Sequence, residues 1–219
     1  MTTLWLSRII PDQQHRAARR DGTSAVALHH RIMSLFPDGV PSAEPRRHLG
    51  VLFRTETGPH GNQILIQSSQ EPDLTRLPDQ YGQAQTRTLT PFLDAFRPGL
   101  PVRYRIAANA IRKPGRTTRE MHRLSSVVPL SGLAADEWWT RQAEAAGLTL
   151  TTLHSTPLDA AHGTRRDDRQ QVKHARTLFE GTALIADPDR LRTRLAEGIG
   201  KGKAYGCGLL SLAPHKASA

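Results

Sequence analysis

The chain has 219 residues, with 30 Lys and Arg against 20 Asp and Glu, a formal charge of +10. That length allows one large domain or two of about 100 residues, each with its own core. A single cysteine, Cys207, excludes an intrachain disulfide framework and all but excludes a cysteine-ligated zinc site, and no apolar run approaches the ~18 residues of a membrane span. The opening residues lack the basic-then-apolar pattern of a secretory leader, so the expectation is a soluble cytoplasmic protein with no membrane partner. Its positive excess favours a polyanionic ligand, nucleic acid above all.

Leu4–Ile10 is apolar, β-rich and closed by Pro11, which predicts an opening strand. A basic polar loop is expected to follow as far as Gly22. Thr23 or Ser24 can then cap a helix running to about Phe36, where Pro37, Asp38 and Gly39 stop it. His48–Glu56 and Gln63–Ser68 read as strands joined through Gly58, Pro59, Gly61 and Asn62, a hairpin. A short helical stretch after Pro72 and a Thr-rich strand over Gln83–Leu89 complete a β-α-β-β-(α)-β order. Pro91, Pro98, Gly99 and Pro101 punctuate a joint.

Beyond it, Val102–Ala108 alternates Val102, Tyr104 and Ile106 with Arg103 and Arg105, so both arginines should leave one face of a strand. A helix over Ser131–Ala146 carries Trp138 and Trp139, adjacent residues that are not expected both to face the core. Strands are expected at Leu148–Leu153 and Arg176–Ala186 with a polar loop between them. Pro188 starts a helix reaching Glu197, and Tyr205–Leu212 forms the last strand. The second half therefore repeats β-α-β-β-α-β. The fold expected is α+β, two tandem ferredoxin-like domains: residues 1–90, a linker at 91–101, residues 102–214 and a tail at 215–219.

Positive charge is clustered. Arg103, Arg105, Arg112, Lys113, Arg116, Arg119 and Arg123 face one acid, Glu120, within a short stretch. Arg165, Arg166, Arg169, Lys173 and Arg176 form a second group, and His15, Arg16, Arg19 and Arg20 a third. Any one cluster is compatible with a solvated face; together they point to phosphate binding. The segment Gly198–Gly208 holds five glycines in eleven residues and brings Lys201 and Lys203 to a helix-to-strand transition. Backbone N–H groups there can approach a ligand closely, with the lysines as point charges for phosphate. It is neither a P-loop nor a dinucleotide fingerprint, because the glycine spacings differ and a strand is expected next.

Ala25, Leu28, Ile32, Leu35 and Phe36 make the apolar face of the first expected helix; His29 falls on its edge and His30 outside it. Two readings are open for His29: a packed, hydrogen-bonded core residue, or an imidazole held beside a basic cleft for proton transfer near neutral pH. The ten histidines show no metal-binding spacing, and no Gly-x-Ser-x-Gly nucleophile motif is present, so no metal or cofactor is expected.

The stretches Leu28–Pro37, Ile64–Pro72, Tyr104–Gly115, Phe179–Leu191 and above all Gly198–Pro214 (GIGKGKAYGCGLLSLAP) resemble the CasE family, CRISPR-associated endoribonucleases of type I-E systems. The resemblance runs from Leu4 to Pro214. It implies two ferredoxin-like domains and metal-independent cutting of the CRISPR repeat stem-loop in precursor RNA, by 2′-hydroxyl attack giving a 2′,3′-cyclic phosphate. It also implies retention of the product within the Cascade complex, with the free protein a monomer. It places the catalytic histidine at His29, and it departs from better-known members in carrying Val26 where they carry tyrosine. On this reading Arg19, Arg20, Arg112, Lys113, Arg116, Arg119, Arg165, Arg166 and Arg169 grip the RNA, and Gly200, Lys201, Gly202 and Lys203 hold its backbone near the cut. The alternatives are a non-catalytic hairpin-binding subunit of the same complex and a general basic RNA-binding module.

Overall fold

The computed structural model describes residues 3–39, 44–58, 61–123, 125–164 and 171–215. In chain order the first half contains β1 (Trp5–Pro11), α1 (Arg16–Thr23), α2 (Ala25–Met33), α3 (Pro45–His48), β2 (Leu52–Gly58), β3 (Gly61–Ser68), β4 (Gly82–Thr88) and α4 (Thr90–Asp94). Its four strands lie in the order β2-β3-β1-β4, all neighbours antiparallel. The second half contains β5 (Pro101–Ala108), β6 (Ile111–Arg112), α5 (Arg116–His122), β7 (Val128–Pro129), α6 (Leu133–Ala145) and β8 (Leu148–Leu150). It closes with β9 (His154–Thr164), β10 (Gln171–Ile185), α7 (Pro188–Glu197) and β11 (Ser211–Pro214). The order β11-β5-β10-β8 repeats that of the first sheet, fourth strand beside first, first beside third, third beside second. These are two tandem ferredoxin-like units, as the element order predicts.

Apolar periodicity explains the elements that match expectation. Ser24 caps α2 by accepting from the Ala27 amide, and Leu28 and Ile32, with Leu35 and Phe36 beyond the helix, pack on Ile9, Phe53, Ile64 and Ile66. Asp187 caps α7 and Pro188 occupies its first turn. In β5, Val102, Tyr104 and Ile106 are buried while Arg103 and Arg105 are exposed.

Other expectations are corrected. Residues 16–23 are a helix rather than a loop: α1 buries only Ala18 and Asp21, too thin a stripe to register as periodicity, and its cap is His15, whose Nδ1 accepts from the Ala18 amide. The start of β2 is delayed from His48 to Leu52 because Pro45–His48 turns helically. The expected polar loop after Leu153 is a long β9–β10 ribbon, held by a backbone ladder and bulged between His174 and Arg176. Trp138 and Trp139 are both buried. Trp139 stacks on Phe179 at 5.6 Å, and Trp138 is roofed by the backbone at Gly200, where a Cβ would lie 3.3 Å from its ring. Tyr205 lies in a 3₁₀ turn, Lys203–Tyr205, and β11 begins only at Ser211, because Gly202, Gly206 and Gly208 take positive φ and cannot run as a strand.

The two units are joined by a buried polar contact. Arg54 on β2 is 2% exposed; its guanidinium donates to the carbonyls of Arg105 (3.0 Å) and Leu209 (2.9 Å), to Ser211 Oγ (3.1 Å) and to Glu56 (2.8 Å). Gln67 donates to the Leu195 carbonyl at 2.6 Å, and Leu52 packs against Gly198. Arg54 reaches three acceptors on the other unit and Gln67 one, which fixes their mutual placement.

Candidate nucleic-acid interface

The glycine-rich segment of the second unit packs against the first. Its turn Lys203–Tyr205 packs on α2 and β2. A Cβ at Gly206 would touch Phe53 at 3.4 Å, and one at Gly208 would lie 2.7 Å from the Ile199 carbonyl oxygen, so only glycine allows the loop to sit so close. Gly200 and Gly202 lie half-buried, Gly202 against Cys207. Burial pushes the Cys207 thiol up to about 12, which leaves it inert.

His29 lies at this contact. Its ring is half-buried on α2, 6.5 Å centroid to centroid from Tyr205 and 6.0 Å from His30. Tyr205 in turn stacks on His174 at 5.1 Å, presented beside the β10 bulge. Nδ1 of His29 is buried without a hydrogen-bond partner among the described residues. Burial first, then the charges of His30 and Arg46, push the imidazole down from 6.5 to about 4. Arg46, anchored on the Val51 carbonyl at 2.9 Å, also acts on Lys203. The Lys203 amine donates to the Glu197 carbonyl at 2.7 Å and is held below the ordinary lysine value by burial, then by Arg46 and Arg194. The imidazole thus stands within reach of the Arg46 charge, and Arg46 in turn of Lys203, an arrangement able to accept a proton where an anion is held.

Val26 is buried on the first turn of α2 beneath the β9 strand. A Cβ at Gly163 would lie 2.6 Å from its Cγ2, so valine and glycine fit one another and the ribbon covers the helix start.

The expected basic clusters divide. Arg105 is tied to Glu180 (2.6 Å) and Glu56 (3.4 Å) on the face between the sheets, and Arg103 shares that face. Arg112, Lys113, Arg116 and Arg119 instead ride on a separate excursion, β6–α5–β7, where Arg116 is 85% exposed while pairing with Glu120. The excursion leaves the sheet at Asn109, which bridges to exposed Lys201, so excursion and glycine segment share a root. Arg19 is exposed on α1; Arg20 reaches Asp21, which also binds Arg31 at 2.8 Å. Arg165, Arg166 and Arg169 lie outside the described residues. Sequence reasoning missed Arg46, His174 and Tyr205; Tyr205 stood inside the glycine-rich motif, but nothing in the spacing brings the other two to His29. Among the described residues no group of three or more His, Cys, Asp or Glu is placed to hold a metal, and no helix is long and apolar enough to cross a membrane.

Two tandem ferredoxin-like units, with His29 of the first meeting Tyr205 of the second, define the architecture. Residues 4–214 match the family described as CRISPR associated protein. The chain is 29% identical over 223 residues to the CRISPR-associated endoribonuclease Cse3 of Thermus thermophilus, covering 96% of this chain and all of that one. It is 26% identical to the CRISPR system Cascade subunit CasE of Escherichia coli K12, again over 96% of this chain and all of the relative. Thermus thermophilus Cse3 bound to an RNA representing a pre-cleavage complex superposes with a TM-score of 0.78 at 28% identity, covering 97% of this chain and all of that one. The chain belongs to the CRISPR-associated protein family, on the CasE and Cse3 branch.

Proposed function

We propose that this protein is an endoribonuclease that binds the stem-loop of a CRISPR repeat in precursor RNA, cuts it, and keeps the product as a subunit of a Cascade assembly in the cytoplasm. The observation that carries this reading is the half-buried His29, its Nδ1 without a partner among the described residues and the Arg46 charge acting on it, on a chain matched over almost its whole length to RNA-cleaving relatives. His29 takes the proton of the 2′-hydroxyl, and that oxygen attacks the adjacent phosphorus. The 5′-oxygen leaves and is protonated at the contact between the units, where Tyr205 packs beside His29. The products are a 2′,3′-cyclic phosphate and a 5′-hydroxyl. Arg46 and Lys203 stabilise the charge that builds on the phosphate oxygens.

Arg112, Lys113, Arg116 and Arg119 on the excursion, with Arg19, Arg20, Arg165, Arg166 and Arg169, grip the RNA chiefly through phosphates, since side chains reach little of the A-form major groove. Gly200, Lys201 and Gly202 hold the backbone near the cut. The two working units are residues 1–90 and 102–214, with 91–101 between them.

A second reading, hairpin binding without cleavage, is favoured by Val26 packed under Gly163 where better-known members have tyrosine. Labelled repeat RNA incubated with protein in EDTA and resolved on a denaturing gel separates the two. Cleavage is expected, with His29→Ala slower by about 10²–10⁴-fold and hairpin affinity unchanged within about twofold. Intact RNA with binding retained would establish the second reading. Equal rates for variant and wild type would remove His29 from the chemistry.

A further inference from the structure

A second concavity, of about 780 Å³, opens between α1, the β2–β3 hairpin and the root of the β9–β10 ribbon. Pockets of roughly 300–1,000 Å³ hold small ligands; this one has room for one or two nucleotides and none for a duplex. Its charge is arranged across it. The floor guanidiniums are already satisfied, Arg54 by carbonyls and Glu56, Arg105 by Glu56 and Glu180. Those on the walls are not. Arg19 on α1 makes no ion pair among the described residues, and Arg176 on β10 spends only its Nε, on the Asp159 carbonyl at 2.7 Å.

The rest of the lining suits bases rather than a mineral anion. Asn62 keeps its amide N–H groups and Gln63 its carbonyl oxygen for a ligand, their other amide atoms being held by Thr57 and Glu56, and Leu158 and Leu178 offer aliphatic surface. A groove with backbone-tracking cations and hydrogen-bonding groups for splayed base edges is the means by which proteins hold unpaired RNA. The cleft also adjoins the contact around His29. Leu28, part of its lining, immediately precedes His29, and Arg176 reaches to 3.9 Å from the Cβ position of Gly206, which adjoins Tyr205.

We propose that this cleft, walled by Arg19 and Arg176, receives the unpaired nucleotides adjoining the cut, so that the protein reads single-stranded RNA next to the hairpin as well as the hairpin itself. The inference rests on the RNA-processing function proposed above and adds to it a second binding site. Strands leaving a hairpin at His29 enter it directly, and their phosphates meet the two uncompensated cations.

The test is fluorescence anisotropy at fixed salt with three labelled RNAs: the bare repeat hairpin, the hairpin with ten unpaired nucleotides on its 5′ side, and the same on its 3′ side. One extension is expected to tighten binding by about fivefold or more, and the gain to weaken with salt in proportion to the phosphates engaged. Gln13→Glu and, independently, Asn62→Glu, both at exposed positions of the cleft lining, should bring the extended RNA to within about twofold of the bare hairpin while leaving bare-hairpin affinity and its cleavage unchanged. No gain from either extension, or a gain that survives both substitutions, overturns the cleft. Failure to cleave the bare hairpin would count instead against the endoribonuclease function and leaves this comparison intact.

Discussion

Acidification to pH 5 tests what burial has done to His29. An unperturbed histidine, with a pKa near 6.5, would be only about 3% neutral there, whereas one displaced to about 4 is still about 90% neutral. The displacement amounts to ~3 kcal/mol in favour of the uncharged ring, supplied first by burial and then by His30 and Arg46. If the neutral ring takes the 2′-hydroxyl proton, kcat/KM for a repeat hairpin should stay nearly level from about pH 8 down to pH 5, since that parameter reports the free enzyme. The kcat profile should titrate higher, because a bound phosphate favours the imidazolium. His30→Ala removes the second cause and should move the kcat/KM midpoint upward, still short of 6.5 because burial remains. The assay is single-turnover cleavage at a series of RNA concentrations and pH values, with circular dichroism confirming the fold at each pH. A kcat/KM that falls about thirtyfold by pH 5, or one that rises on acidification, would refute the argument.

The same displacement has a signature in stability. The folded value lies below the unfolded one, so between about pH 6.5 and 4 the unfolded chain binds the extra proton and stability falls as pH falls. Wild type should lose about 2 kcal/mol more than His29→Gln between pH 7 and 4.5 in urea unfolding. Arg54→Ala should cost about 3–5 kcal/mol, since it leaves Glu56 half-paired and two buried carbonyls without donors, read as a lower urea midpoint. Gly163→Ala puts a Cβ against Val26 and should cost about 1–3 kcal/mol, much of it recovered in the Val26→Ala double variant if that contact is the cause.

What could be read from the sequence follows how each element earns its stability. α2, α7 and β5 bury regular apolar stripes, and their periods and caps announce them. α1 buries two residues and the β9–β10 ribbon is held by its ladder, so neither leaves a strong hydrophobic signal. The glycines of Gly198–Gly208 were legible as a functional segment, but their packing role was not. They let a loop settle between Trp138, Phe53 and Ile199, and so carry Lys203 and Tyr205 to α2. His29 could be named through the family resemblance, whereas Arg46 comes to it, and His174 to Tyr205, only through tertiary contact. The stretch Arg103–Arg123 is one cluster in sequence and two in space, because strand alternation sends Arg103 and Arg105 between the sheets before the chain departs at Asn109.

The central claim is that the RNA's own 2′-hydroxyl is the nucleophile and His29 its base. The most direct measurement replaces that hydroxyl by hydrogen at the nucleotide before the cut, in an otherwise unmodified repeat hairpin, and follows binding and cleavage in EDTA. Full-strength binding with cleavage abolished at that site is expected, together with a 2′,3′-cyclic phosphate on the product of the unmodified RNA. Cleavage of the deoxy-substituted hairpin at an undiminished rate would contradict it.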